Sequence, residues 1–325
     1  MKKVLITTVP FAETNNSLEL LKSANLKYFI NPFKRKLSSD ELKDMIVGYD
    51  ALIAGTEGIS EEVIQNAENL KIISRVGVGL DSVDLNAAKS KNIIVTYTPD
   101  APAPAVAELA IGNMLTLLRG NHLSNLMMHE KKWQRIFGKR ISEVTIGIIG
   151  VGRIGSKVLR MLESFGTKRV LVNDLTQNVN LDTKLKIEWT DKELIYKESD
   201  IISLHVPLTR ATRNMITQKE LEIMKDDVLL INTARGGIIN ELDLERALRS
   251  KIIGGAAIDC FDQEPYTGPL CEIETCLLTS HMGSMSIDCR NRMEIEATEE
   301  VIRYFSGIDL KNIVPESEYT MVRGD

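Results

Sequence analysis

The chain has 325 residues, 43% of them hydrophobic and 26% charged, an ordinary globular composition and a length that suits two domains. A net charge of -5 with no long Lys/Arg run gives no electrostatic case for nucleic acid or an anionic membrane as the main partner, so a small molecule is expected. The four cysteines, Cys260, Cys271, Cys276 and Cys289, form no CxxC pair and neighbour no His-rich cluster; they read as reduced, mostly buried thiols of a cytoplasmic protein, with no metal expected.

The opening "MKKVLITTVP" imitates a signal peptide, but its apolar stretch is short, interrupted, and followed by no convincing cleavage site, so a first β-strand fits better. No run approaches the ~18 apolar residues of a spanning helix. Up to about residue 98, the apolar runs "VLITTV", "ALIAG", "KIISRV" and "NIIVTY" alternate with stretches of helical spacing, one of them opening on Ser60 before Glu61 and Glu62. That alternation predicts a small βα domain with a parallel sheet. "TPDAPAPA", residues 98–105, concentrates three of the nine prolines and reads as the crossing to a second domain over 99–286. There "AVAELAIGNMLTLLR", apolar nearly all round, predicts a helix buried between domains or subunits. Six β-type runs follow: "VTIGIIG", "RVLVND", "DIISLHV", "DVLLINT", "GGAAID" and "CLLTS", a series that suits a doubly wound sheet. A last helix over about 287–305 is expected to return to the first domain, which then comprises 1–98 plus 287–325.

The most specific motif is "GVGRIG", Gly150 to Gly155, directly after the strand "TIGII" and opening the amphipathic stretch "SKVLRMLESFG". Strand before, helix after and an acid about 20 residues on, here Asp174, lift the pattern above a chance glycine run. Gly150 allows the tight turn, Gly152 lets the backbone approach a pyrophosphate, Gly155 permits close helix packing, and the helix N-terminus attracts the phosphate charge. Asp174 would hold a ribose diol. With no Arg or Lys after it in "DLTQN", a 2′-phosphate would meet an uncompensated carboxylate, so NAD rather than NADP is the expected cofactor.

In open α/β sheets ligands bind beyond the carboxyl ends of the strands. Those ends carry Arg235 in "TARGG", Asp259 and Glu264 in "IDCFDQEP", and His281 in "TSHMGS". Together these residue types suit hydride transfer between a nicotinamide and a carbon bearing oxygen. An imidazole near its usual pKa of ~6.5 can take the hydroxyl proton and return it. Glu264 would orient that ring and favour its charged form. Arg235 offers a forked donor pair for a substrate carboxylate, and Asp259 could anchor the nicotinamide amide. Each has a structural alternative taken singly: a strand-end histidine, a turn carboxylate before Pro265, a helix-capping arginine, a loop-capping aspartate. Their joint placement downstream of the glycine motif favours chemistry. His205 in "SLHVPLT" competes as base but has no carboxylate close behind it, so lining the cofactor cleft suits it better. His122 and His129 lie in a polar helical stretch and are expected to be solvated.

From about residue 50 to 305 the chain resembles the D-isomer-specific 2-hydroxyacid dehydrogenase family, especially its phosphoglycerate dehydrogenase-like branch. The resemblance runs in the family's order through "SRVGVGLDSVDLNAA", "VAEL", "GIIGVGRIG", "LHVPLT", "INTARGG", "GAAIDCFDQEP" and "TSHMGS". It implies a Rossmann-type dinucleotide-binding domain inserted into a flavodoxin-like substrate domain, acting on a D-2-hydroxy acid and its 2-oxo acid. It implies His281 as acid/base, Glu264 as its partner, Arg235 as carboxylate binder and Asp259 as nicotinamide contact. Backbone NH groups around Val76 and Gly77, in "RVGVG", would receive the substrate carboxylate in the interdomain cleft, and the helix over residues 105–119 would be the homodimer contact. Around NAD the resemblance groups Gly150, Gly152, Arg153, Ile154, Gly155, Asp174, His205, Pro207, Thr233, Ala234, Asp259 and Gly283, with Gly283 turning the backbone.

Two departures bear on substrate. Ser280 stands where the family usually has proline before the histidine, losing a stiff residue whose place a local hydroxyl hydrogen bond could take. Ala54 stands where phosphoglycerate dehydrogenases carry an arginine for the phosphate, and nearby Glu57 would repel one; Arg135 resembles another substrate-contacting position and compensates only in part. With the sequence ending near 325, the C-terminal regulatory domains of some serine-pathway enzymes are expected to be absent. The expected activity is therefore phosphoglycerate dehydrogenase-like, or that of a glyoxylate, hydroxypyruvate or sugar-acid reductase, with a non-enzymatic NADH-sensing protein as the competing class. Formate enzymes of the family place glutamine where Glu264 stands, which argues against them.

Overall fold

The computed structural model describes residues 1–177, 181 and 183–320. Residues 321–325, assigned above to the first domain, and Asn178 of "DLTQN" lie outside the described residues. Among the described residues the chain divides into two compact units, one formed by Met1–Pro102 with 284–320, the other by Ala103–Gly283.

In the first unit β1 (Lys3–Ile6), β2 (Lys27–Ile30), β3 (Ala51–Ala54), β4 (Ile72–Arg75) and β5 (Ile94–Thr96) form a parallel sheet in the order β2-β1-β3-β4-β5. That is the flavodoxin-like order. β3 and β4 are buried along their whole length, as strands of a helix-covered sheet should be, although β4 carries the buried polar Ser74 and Arg75 at its end. β2 was not expected: "KYFI" is a half-exposed edge strand, and its burial alternates. The helix Glu61–Asn66 starts where Ser60 accepts the Val63 amide. The helix Ile287–Ser306 belongs to this unit, where the Ser74 hydroxyl of β4 donates to the Ala297 carbonyl at 2.9 Å. Its buried Glu294 accepts from the Ala12 amide at 2.7 Å and from Asn15 at 2.8 Å, while Arg290 donates to Thr8 at 2.8 Å, so this helix fastens the loop after β1.

The second unit holds β6 (Thr145–Ile149), β7 (Arg169–Asn173), β8 (Ile187–Trp189), β9 (Ile201–Leu204), β10 (Leu229–Asn232), β11 (Gly255–Ile258) and β12 (Cys276–Leu278). They form one parallel sheet ordered β12-β11-β10-β9-β6-β7-β8, seven strands rather than the six expected; β8, "IEW", is a short, half-exposed edge with a charge at its centre. Alternate residues point to opposite faces: Ile146, Ile148, Val170, Val172, Ile201 and Ile231 enter one apolar cluster, while Ile149, Leu171, Ile202, Leu204 and Leu230 enter another. The helix Ala103–Arg119 lays Val106, Ala107, Ala110, Ile111, Met114, Leu117 and Leu118 onto this unit and leaves Glu108, Gly112 and Arg119 exposed. It is therefore one-sided rather than buried all round. The strand order reverses between β6 and β9, and the carboxyl ends flanking that point carry the glycine loop and His205.

Candidate functional site

The loop after β6 can be built only with glycines at two places. Gly150 has φ +95°, and a Cβ there would lie 2.5 Å from the His205 carbonyl oxygen; a Cβ on Gly155 would lie 2.0 Å from the Gly150 carbonyl oxygen. The strand, the turn and the helix Arg153–Leu162 are thereby pressed together. At Gly152, the N-cap of that helix, a Cβ would meet nothing within 4 Å and its own residue supplies no side-chain cap, which leaves room beside the helix start for a ligand. Arg153 is exposed on the first turn, and Ile154 packs against the core. Beyond β7, Asp174 accepts the Val151 amide at 2.6 Å and the Leu175 amide at 2.6 Å, which holds its carboxylate against the glycine loop.

His205 follows β9, its amide donating to the Ile149 carbonyl at 2.8 Å. Its Nε2 lies 2.9 Å from the Ser203 hydroxyl, its Nδ1 is enclosed without a partner, and burial pulls its pKa down to about 4. A ring so weakly basic is a poor proton acceptor near neutrality. Thr233 after β10 likewise keeps a buried hydroxyl without a partner, beside the buried Ala234. These orphaned polar atoms at adjoining strand ends fit a ligand that hydrogen-bonds there, such as a dinucleotide. Pro207 is exposed, its carbonyl accepting the Thr212 hydroxyl at 2.6 Å. His122, expected to be solvated, is half-buried with both ring nitrogens enclosed, and burial lowers its pKa. A polar sequence did not reveal that its ring turns inward.

At the other end of the sheet, His281 Nδ1 lies 3.0 and 2.9 Å from the two oxygens of Glu264, which also accepts the Phe261 amide at 3.1 Å. Glu264 is thus no free turn carboxylate. Beside them stands a group that sequence reading did not assign to the site, the Cys260 thiol. Ligand atoms of Cys260, Glu264 and His281 all lie within 4.8 Å of one another. Hydrogen bonding to Cys260 first, then to Glu264, raises the His281 pKa to about 10 against the opposing effect of burial. The available signal was local: Cys260 lies four residues before Glu264 in "CFDQE".

Asp259 explains how the histidine is held. The residue is fully buried; one oxygen accepts the Thr279 hydroxyl at 2.6 Å and the Met282 amide at 2.9 Å, the other the Gly283 amide at 2.9 Å. Its carbonyl accepts the His281 amide at 2.8 Å. His281 itself has φ +50°, a left-handed conformation uncommon outside glycine that persists because the surrounding bonds over-determine it. The turn expected at Gly283 is therefore made at His281, and Gly283 instead lets its amide reach Asp259 where a Cβ would crowd Val106 at 3.2 Å. Ser280 is exposed and its hydroxyl makes no hydrogen bond among the described residues, so the local serine contact expected there is not formed and the loop is held by the bonds to Asp259. Arg235 lies three residues past β10, its Nη1 donating to the Ala234 carbonyl at 2.6 Å, and its loop packs on the backbone of Phe261 and Asp262 in the Glu264 loop.

In the first unit one expectation is corrected. The Val76 amide donates to the Ala54 carbonyl at 2.9 Å, and the Gly77 amide to the Thr98 hydroxyl at 2.7 Å and the Arg75 carbonyl at 3.1 Å, so neither is available to a carboxylate. Among the described residues the next two amides, Val78 and Gly79, donate to no acceptor and are half-exposed. The strand β4 ends in bonds that consume the first two donors, a register effect invisible in "RVGVG". Glu57 is buried, its carboxylate bonded to the Thr7 hydroxyl and, at 3.0 Å, to the Gly55 amide, so it braces the loop after β3. Ala54 is fully buried and Arg135 exposed.

A doubly wound nucleotide-type sheet with a histidine–carboxylate pair at its strand ends defines a dehydrogenase of the Rossmann class. Residues 111–283 match the family described as D-isomer specific 2-hydroxyacid dehydrogenase, NAD binding domain, and the chain belongs to that family of NAD-dependent oxidoreductases. It is 37% identical to a hydroxypyruvate reductase of Thermotoga maritima over 82% of this chain and 88% of that protein. It is 33% identical to a D-3-phosphoglycerate dehydrogenase of Synechocystis over 86% of this chain, but spans only 51% of that protein's length. Among solved structures, D-lactate dehydrogenase of Aquifex aeolicus, complexed with NAD and lactic acid, is similar with a TM-score of 0.84 and 29% identity, over 96% of this chain and 98% of that one.

Proposed function

We propose that the protein reduces a small, non-phosphorylated 2-oxo acid to the D-2-hydroxy acid, with hydroxypyruvate and glyoxylate as leading substrates. The observation that carries this reading is the two-oxygen grip of Glu264 on His281 Nδ1. With that nitrogen's proton committed to Glu264, Nε2 is the atom that exchanges a proton with the substrate oxygen. Because His281 is protonated at neutral pH, it is poised to donate as the carbonyl becomes a hydroxyl. Arg235 binds the substrate carboxylate and polarises the 2-oxo group, and Val78 and Gly79 are the backbone donors of the first unit suited to a carboxylate. NAD, when bound, supplies or accepts the hydride. Gly150, Gly152 and Gly155 with the helix N-terminus at Arg153 and Ile154 would hold its pyrophosphate, Asp174 its ribose, and His205, Pro207, Thr233 and Ala234 line its place, with Asp259 and Gly283 framing the nicotinamide end through the His281 loop.

Ala54 supplies no cation where a substrate phosphate would be met, which favours the reductase reading; likeness to the Synechocystis enzyme supports phosphoglycerate as the second reading. Free cysteines suit a cytoplasmic location, and the outer face of the helix Ala103–Arg119 is the proposed homodimer contact. Purified protein should oxidise NADH with hydroxypyruvate or glyoxylate. Binding of NADH without turnover on any 2-oxo acid would instead identify a sensing protein.

A further inference from the structure

Cys260, Glu264 and His281 form the one group among the described residues in which three metal-ligating side chains of these types converge, with all three donor atoms within 4.8 Å. Thiolate, imidazole and carboxylate are the donors that zinc and its neighbours prefer, and three protein ligands leave a fourth position for water. Tetrahedral zinc, with bonds of about 2.0–2.3 Å, needs donors about 3.5 Å apart, so small side-chain rotations close the group around an ion. The Cys260 residue is 2% exposed, but the His281 and Glu264 side chains are 35% and 25% exposed, so an ion can enter from their side and meet the thiol behind them. The loop is already fixed from below by Asp259, so binding requires no refolding of the backbone.

We propose that this cluster is an inhibitory site for a thiophilic divalent cation such as Zn²⁺, which occupies the proton-transfer pair and stops turnover reversibly. Cys260 and His281 Nδ1 each give up a proton to solvent as their bonds to the metal form, and the Glu264 grip on Nδ1 is replaced by the metal. The N–H left at Nε2 of a metal-bound neutral imidazole is too weak an acid to serve the substrate as the imidazolium does. Binding stands on this geometry alone, whereas inhibition rests also on the activity proposed above, so the two are read separately.

The test titrates the purified chain with Co²⁺ and Zn²⁺. Co²⁺ should give a thiolate-to-metal charge-transfer band in the wild type and in Cys271→Ser, and no band in Cys260→Val or Cys260→Ser. The Zn²⁺ dissociation constant should rise at least about 100-fold in Cys260→Val, exceeding the loss typical of an outer-shell change. Two Cys260 variants are used because valine fills the buried space while serine changes it least; unchanged circular dichroism qualifies either for reading. Zn²⁺ should also lower wild-type NADH oxidation, with recovery on adding EDTA, while Cys260→Val keeps its own metal-free rate. A band that survives loss of Cys260, one that disappears with Cys271, or no band in the wild type would overturn the site. A band without inhibition would overturn the inhibitory role and leave the proposed activity to its own assay.

Discussion

His281 is unusual in three respects at once: a left-handed backbone, a carboxylate gripping Nδ1 through both oxygens, and a pKa raised to about 10 by Cys260 and Glu264. Reduction needs the imidazolium, so its rate should stay level through neutral pH and fall as pH rises through about 10; oxidation needs the neutral ring and should rise over the same interval. Stability carries the same sign: the folded state binds this proton more tightly than the unfolded chain, so the contribution is complete below about pH 6.5 and is lost as pH climbs toward the raised value. Glu264→Gln should move the falling limb of the reduction profile to lower pH, and an unchanged profile would detach Glu264 from the proton. Asp174→Ala should weaken NADH binding more than NADPH binding in a fluorescence titration, because the carboxylate beside the glycine loop repels a 2′-phosphate. The strand-end positions of His281, Arg235 and Asp174, and the pairing of His281 with Glu264, were legible because these residues come after buried apolar runs. Cys260 was not, since a buried cysteine after a strand also suits ordinary core packing.

At the scale of elements, the loop after β12 depends on a single buried carboxylate. Asp259→Ala would leave the Met282 and Gly283 amides and the Thr279 hydroxyl without their acceptor, each costing about 1–3 kcal/mol if it stays dry. The expected outcome is a lower melting temperature, faster amide exchange over 279–284, and a loss of kcat together with weaker NADH binding, because the same loop frames the proposed nicotinamide end. Gly155→Ala forces a methyl onto the Gly150 carbonyl and should cost both stability and NADH affinity, measured by thermal melting with and without cofactor. The strands buried on both faces announced themselves as apolar runs, whereas β2 and β8 did not, because an edge strand needs no such run. The Val78 and Gly79 amides were hidden for a different reason: which donors remain at a strand end depends on where the ladder stops, and "RVGVG" offers several registers.

For the whole molecule, two parallel sheets, ordered β2-β1-β3-β4-β5 and β12-β11-β10-β9-β6-β7-β8, follow from a chain that alternates short apolar runs with helical stretches. The alternation was readable in sequence, and so was the return of the helix Ile287–Ser306 to the first unit, since the second sheet closes without it. The substrate is less readable, because the proposed preference for a non-phosphorylated acid rests on the absence of a cation at the buried Ala54, and the buried, internally bonded placement of nearby Glu57 was not visible in "LIAGTEG". The most direct measurement is steady-state NADH oxidation by the wild type and His281→Ala over a panel of hydroxypyruvate, glyoxylate, phosphohydroxypyruvate and sugar-derived 2-oxo acids, with the chirality of chiral products determined. Wild-type turnover to the D-hydroxy acid, lowered by about 10²–10⁴ in His281→Ala while NADH still binds, is the predicted result. Equal turnover in the two proteins would contradict it.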